Sequence, residues 1–152
     1  MGGFLFENDV VCVKCNNFNT ALSDGDYLPA SGSFIDMADV DHGVFLIELG
    51  TLDSSTTFTV KQDTDSTVTG DVKGLTSAVA QVVPDTDDNK WLTLEFNANQ
   101  LDRAGGFRYV TVKADGPAGG NDYACVTFLG FKNRKAPVAK AAGYAYHVSV
   151  VG

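Results

Sequence analysis

Hydrophobic side chains recur at every second position through most of this 152-residue chain. Successive side chains of a β-strand point to opposite faces, so a period of two predicts strands with one buried face, whereas a helix repeats every 3.6 residues. Turn signals rich in Gly, Asp and Ser separate these stretches at short intervals. Many short strands at such spacing are typical of a sandwich or barrel. The clearest alternation covers residues 58–60, 92–96, 110–112, 126–128 and 144–150.

The alternating pattern leaves little room for helices. The best helical candidate is residues 97–104, at most two turns long, with Gly105 as its end. A second short helix fits within residues 135–142, where Pro137 argues against a long one. The continuous apolar run 44–47 predicts a strand covered on both faces. The sequence therefore predicts an all-β fold, an antiparallel β-sandwich forming one domain over residues 1–152, with at most one or two short helices.

The charge balance bears on the partners of the chain. Nineteen acidic residues against eleven Lys and Arg give a net charge of -8, which argues against unaided electrostatic binding to nucleic acid or to an anionic membrane. No apolar stretch approaches the roughly 18 residues of a membrane span. Residues 1–7 lack the basic segment of a signal peptide, and their apolar stretch is too short for one. We therefore expect synthesis in the cytosol and no direct nucleic-acid or membrane partner.

The cysteines and histidines do not form a recognisable site. Cys12 and Cys15 make a CxxC pair, but Cys125, His42 and His147 supply no second pair at zinc-ligand spacing. Cys12 and Cys15 are therefore predicted to be small, buried or half-buried side chains. His42 is predicted to lie in a turn and His147 on a strand. Sequence patterns of nucleophilic, zinc-protease and phosphate-loop sites are absent. We expect no enzyme activity, no catalytic residue, no cofactor and no bound metal.

Two segments carry a functional alternative. Residues 85–89, Asp-Thr-Asp-Asp-Asn, resemble part of a calcium loop but lack the Gly and the closing Glu of an EF-hand, which favours a solvated turn. Trp91 is the single tryptophan and the side chain best suited to stack a sugar. Its place at the head of the alternating stretch 92–94 instead predicts packing in the core or on the sheet face.

Both ends of the chain offer candidate contacts. Phe4, Leu5 and Phe6 are bulky apolar residues near a terminus, where chains are usually polar and frayed. They are either tucked into the core or docked on a neighbour, and in the second case residues 1–9 form an extended arm that adds to a sheet edge. A basic cluster near the other end is either a solvated loop or a contact for an acidic surface, including another copy of this chain. Its members are Lys132, Arg134, Lys135 and Lys140.

The order of several segments resembles a group of small tailed-bacteriophage proteins from the structural gene region. The resemblance covers residues 34–138, about two thirds of the chain. In that group, a strand ending in Gly-Thr precedes a strand ending near Gln, and a Phe-Arg-Tyr-Val strand follows later. The segments that carry it here are Phe-Ile-Asp-Met-Ala at 34–38, Val-Phe-Leu-Ile-Glu-Leu-Gly-Thr at 44–51, Phe-Thr-Val-Lys-Gln at 58–62, Asp-Asp-Asn-Lys at 87–90, Phe-Arg-Tyr-Val-Thr-Val at 107–112 and Leu-Gly-Phe at 129–131.

What the resemblance implies is a capsid decoration, or cement, protein with a sandwich that is often jelly-roll-like. Such proteins bind the exterior of the assembled capsid as oligomers and bridge subunits of the major capsid protein. The implied partners are therefore the major capsid protein and further copies of this chain, as a dimer or trimer, and the implied location is the virion exterior after synthesis in the host cytoplasm. Two alternatives stay open: another virion component, such as a head fibre base, head–tail connector or tail protein, and a carbohydrate-binding β-sandwich.

Overall fold

The computed structural model describes residues 9–118 and 120–132. Ten strands are present in these residues, and all their pairings are antiparallel. The predicted strand at 144–150, with His147, and the second helix candidate at 135–142 lie outside the described residues. The strands are β1 (Val10–Lys14), β2 (Asp26–Leu28), β3 (Ile35–Asp36), β4 (His42–Leu49), β5 (Thr56–Asp63), β6 (Lys73–Gly74), β7 (Ala80–Val83), β8 (Trp91–Asn97), β9 (Tyr109–Asp115) and β10 (Ala124–Phe131).

The strands form two sheets with the order of a jelly roll. The first sheet has the order β1-β10-β4-β8. In the second sheet β9 and β5 are paired at the centre, β2 and β3 both pair with β9, and β6 and β7 both pair with β5. When each of these two short pairs is counted as one interrupted strand, the described chain has eight strands in two four-stranded layers, as in double-sheet jelly rolls. The predicted all-β antiparallel sandwich is confirmed.

Aromatic packing fills the space between the sheets. Phe45, Phe96 and Phe128 are each at most 1% exposed, and their ring centroids are 5.0–6.4 Å apart. Gly43 and Gly130 are paired across β4 and β10 beneath these rings. A Cβ added at Gly43 would lie 2.5 Å from Phe96 Cζ, and one at Gly130 would lie 2.8 Å from Phe128 Cε1. Only glycine leaves room for the rings to approach the sheet this closely.

Buried carboxylates fix two of the loops. Asp122 is fully buried and accepts hydrogen bonds from the backbone N–H groups of Asp53, Ser54 and Ala118 and from Ser54 Oγ. Asp63 is also fully buried and accepts bonds from Thr64 and Thr69. Donors that would otherwise be buried without partners are satisfied by these charges, and this stabilises irregular backbone between strands.

Residues 97–104, the best helical candidate of the sequence, are helical only in part. The chain forms two short 3₁₀ turns there, Ala98–Gln100 and Arg103–Gly105, separated by an extended Leu101. The second turn ends at Gly106, whose φ of 85° is in the left-handed region that glycine tolerates. Leu101 is buried in the core, so tertiary packing has overridden a weak helical propensity. In the described residues, neither helical turn has the length and apolarity of a membrane span.

Candidate functional site: a tryptophan groove and an apolar sheet face

Of the contact residues predicted from the sequence, Lys132 lies within the described residues. Lys132 is exposed and directly follows β10, and its backbone N–H donates to the carbonyl of Asp9 at 3.0 Å. Asp9, the last residue of the predicted arm 1–9, is buried. The other predicted contacts lie outside the described residues and stay predictions: Phe4, Leu5, Phe6, Arg134, Lys135 and Lys140.

Strand β8 carries Trp91 to the surface. Its indole is 70% exposed, so the prediction that it packs in the core or on the sheet face is wrong. Along β8, Leu94 and Phe96 point into the core, and Leu92 shares their face because side chains alternate along a strand. Trp91 therefore shares the opposite face with Thr93 and Glu95. The sequence held this signal, because Trp91 is one position out of step with the apolar residues that follow it.

A groove lies beside Trp91 at the edge of the sandwich. In the described residues β8 is the edge strand of the first sheet, and β7 pairs only with β5 in the second. Val82 of β7 is 58% exposed. The two edges border an open groove with a volume of about 190 Å³. Its lining combines apolar residues (Leu49, Val82, Val83, Trp91, Leu92) with polar ones (Gln81, Asp87, Lys90).

The loop between β7 and β8 is held in place by its own hydrogen bonds. The Asp88 carboxylate accepts from the Leu52 N–H at 2.8 Å, and the Lys90 carbonyl accepts from the Leu49 N–H at 2.8 Å. Asp87 forms an ion pair with Lys90, three residues along. The groove wall is therefore preorganised by contacts to the sandwich, which lowers the ordering cost of binding.

Residues 85–89, the candidate calcium loop, do not form a cluster of calcium ligands. The carboxylates of Asp87 and Asp88 are engaged with Lys90 and the Leu52 amide. Asn89 adopts a positive φ of 58°, as this residue type does in tight turns. In the part of the chain that the structure describes, no three His, Cys, Asp or Glu side chains are grouped to hold a metal ion.

The outer face of the first sheet, which points away from the second sheet, carries apolar side chains. Phe45 and Ile47 are fully buried between the sheets, whereas Val44 and Leu46 are only half-buried. The prediction that the run 44–47 is covered on both faces is therefore wrong for the described residues. Val44 is directly paired with the half-buried Leu129 of β10. The outer face thus holds an apolar row, which we define as Val44, Leu46, Leu129 and Phe131.

His42 closes one end of the apolar row. It begins β4 and does not lie in a turn, which corrects the prediction. Its Nε2 is 2.7 Å from Glu95 Oε1, and its Nδ1 is 3.0 Å from Asn97 Oδ1. The imidazole ring also lies 5.9 Å from the ring of Phe131, between centroids. These contacts hold the ring of His42 against the end of the row and give the row a polar boundary.

All three cysteines are free thiols. Cys15 is buried, as predicted, and Cys125 is half-buried. The prediction is wrong for Cys12, which is exposed because it lies on the outer face of β1. Burial raises the pKa of the Cys15 thiol to about 12, which makes it a poor nucleophile and metal ligand at neutral pH.

Comparison with known proteins adds no relative. No family model, curated protein or solved structure matches the chain. Two surfaces of the molecule are therefore the candidates for binding: the groove beside Trp91 and the apolar row on the first sheet. The groove suits a small amphipathic group, and the row suits a flat protein surface.

Proposed function

We propose that the protein is a structural virion component that binds the outer surface of a bacteriophage capsid. In this role it stabilises the shell by bridging subunits of the major capsid protein, as a dimer or trimer. The segments that carry the resemblance to decoration proteins are the framework of the sandwich: 44–51 includes most of β4, 58–62 lies in β5, 107–112 includes most of β9, and 129–131 ends β10. The resemblance therefore concerns strands at the centre of both sheets.

The topology is compatible with this role. Double-sheet jelly rolls occur in viral capsid proteins and in lectins, so the fold alone does not choose between these classes. A stiff sandwich with a tightly packed aromatic core resists deformation. That property suits a protein that holds neighbouring subunits in register.

The apolar row on the first sheet is the observation that carries the proposal. Flat apolar surface with a polar boundary is typical of protein–protein contacts. Val44, Leu46 and Leu129 belong to the strands that carry the resemblance. The exposed cation Lys14 ends β1 of the same sheet, and the exposed Lys132 directly follows β10. We infer that this face meets the capsid, with the predicted terminal contacts around it. Several modest contacts per oligomer would add through avidity on a repetitive shell.

Binding to capsids that lack the protein tests the proposal. Purified chain mixed with such capsids should co-sediment in a fixed stoichiometry with the major capsid protein. Leu46→Lys should weaken that binding by on the order of tenfold or more, as expected when a charge enters an apolar contact. Thr59→Lys is the matched control, because Thr59 lies half-buried on the outward-facing side of β5 in the second sheet.

Three outcomes decide the matter. Absence of stoichiometric binding by the wild-type chain would overturn the capsid role. Wild-type affinity of Leu46→Lys would remove the first sheet as the contact face. The copy number per particle separates the alternative virion positions: hundreds of copies support a shell component, whereas a dozen or fewer at the neck or tail would assign a connector or tail part.

A further inference from the structure

We propose that the groove beside Trp91 binds one neutral pyranose ring of a glycan. None of the four residues of the apolar row lines the groove, although Trp91 lies on the same outer face of the first sheet, and the proposal does not depend on the capsid role. Its occupant is defined by three properties of the groove: an exposed indole, a polar rim and a negative local charge. Each of these is given by the described residues.

The indole supplies the stacking surface. Trp91 is the only tryptophan and one of the most exposed large side chains described, whereas tryptophan is highly buried on average. The outward-facing residues that follow it on β8 are Thr93 and Glu95, so the strand itself does not call for an aromatic side chain there. A pyranose has an apolar face of C–H groups that matches a flat, exposed ring. Val82 of the neighbouring edge strand extends this apolar surface.

The rim supplies partners for hydroxyl groups. A sugar hydroxyl both donates and accepts a hydrogen bond, and the rim offers an amide, a carboxylate and an ammonium group in Gln81, Asp87 and Lys90. The Gln81 amide is oriented by its Nε2, which donates to the Val82 carbonyl at 2.8 Å. Asp87 and Lys90 are held by their mutual ion pair. A few fixed polar groups around an apolar surface are typical of small-molecule sites.

Size and charge narrow the ligand class. Pockets for drug-sized ligands measure roughly 300–1,000 Å³, so about 190 Å³ is enough for one ring of a chain. Lys90 is neutralised by Asp87, and Glu48 is paired with Trp91 across the sheet. Asp85 and Asp88 add further negative charge on the loop. This environment disfavours uronic and sialic acids and favours neutral sugars.

The polar rim favours a sugar over an apolar side chain of a protein partner. An apolar protein side chain entering this groove would desolvate Gln81, Asp87 and Lys90 without supplying hydrogen bonds, which is unfavourable. A sugar ring replaces their water contacts with hydroxyl groups. The two occupants are separable by experiment, because Trp91 itself reports occupancy as the single tryptophan fluorophore.

The test is a titration of the full chain followed by Trp91 emission. The probes are methyl glycosides of glucose, galactose, mannose and N-acetylglucosamine, with glucuronate and sialic acid as the anionic comparison. We expect a saturable change with at least one neutral glycoside and about tenfold weaker binding of the anions, a ratio that corresponds to one modest electrostatic contact. Asp87→Asn should bring the affinities for the neutral and the anionic sugars closer together.

Substitutions then locate the site. Ligand-observed NMR should show that Trp91→Ala weakens the glycoside by on the order of tenfold or more, the effect of removing one aromatic anchor. Phe18→Ala is the matched control, since Phe18 is 72% exposed away from the groove lining. The proposal is overturned if no neutral glycoside gives a saturable response or if Trp91→Ala binds like the wild type.

Discussion

The inner and outer faces of the first sheet are built from the same strands but follow different rules of composition. On the inner face, Phe45 and Phe128 are fully buried. The phenylalanine rings lie so close to the paired Gly43 and Gly130 that a Cβ at either position would clash with them. On the outer face, Trp91 is mostly exposed and Leu46 is half-buried. Any change on the inner face disturbs close packing. On the outer face, a side chain can change with little effect on the stability of the fold. The difference separates residues that hold the fold from residues available for binding.

The largest expected effect is on the inner face. Phe128→Ala removes a ring that contacts Phe45 and Phe96 and leaves a cavity, so we expect a loss of about 3–5 kcal/mol in the free energy of unfolding. Chemical denaturation followed by circular dichroism measures it. Phe18→Ala, the same change at a 72% exposed position, should cost well under 1 kcal/mol. Equal losses in the two variants would contradict the distinction between packed and free aromatic residues.

A smaller loss of stability is expected when the buried charge of Asp63 is removed. Burial alone raises the pKa of the Asp63 carboxyl, but hydrogen bonds from the Thr69 side chain and from the backbone N–H groups of Thr69, Thr64 and Asp65 outweigh it, so its pKa lies below the usual value. A lowered folded-state pKa stabilises the fold above the unfolded pKa of about 4, and this stabilisation is lost as pH falls through the folded value.

The comparison of Asp63→Asn with the wild type checks this sign. The variant keeps one oxygen acceptor and loses the charge, so we expect a loss of about 1–3 kcal/mol at pH 7, typical of a weakened buried hydrogen-bond group. The difference should shrink as both proteins are unfolded at successively lower pH below 4. Asp39→Asn, at an exposed position, is the control. A difference that stays constant down to pH 2.5 would mean that the charge does not contribute.

Period-two alternation was enough to predict most of the sandwich. It located β5, β8, β9 and β10, whose alternating apolar residues Phe58, Leu94, Val110 and Val126 are buried in the core, and the continuous apolar run 44–47 located β4. The strands that it missed, such as β3 (Ile35–Asp36) and β6 (Lys73–Gly74), have two residues each and are too short for any period. They exist because neighbouring strands β9 and β5 offer hydrogen-bonding partners. This information is tertiary and is not written in the local sequence.

The candidate site was predictable only in part, for the same reason. The alternation that placed Leu94 and Phe96 in the core also required Trp91 to point away from it, so the exposure of Trp91 followed from the sequence. The approach of Val82 did not, because it depends on β7 and β8 forming edges of different sheets on one side of the molecule. The half-buried state of Leu46 was also not predictable, because it depends on which residues pack around the outer face of the sheet.

The smallest loss of stability is expected from a substitution of Trp91 on the outer face. Trp91→Thr keeps a residue that suits a strand and retains the backbone pairing with Glu48, while it removes an indole that is 70% exposed. Because little of that indole is buried, we expect the free energy of unfolding to change by no more than about 0.5 kcal/mol, as for other surface substitutions. Thermal and denaturant unfolding followed by circular dichroism measure it. A loss above about 1.5 kcal/mol would show that the indole belongs to the packed structure, and the outer face would then follow the same rule as the inner one. A neutral result would mean that the indole contributes little to folding, as expected of a side chain that is available for binding.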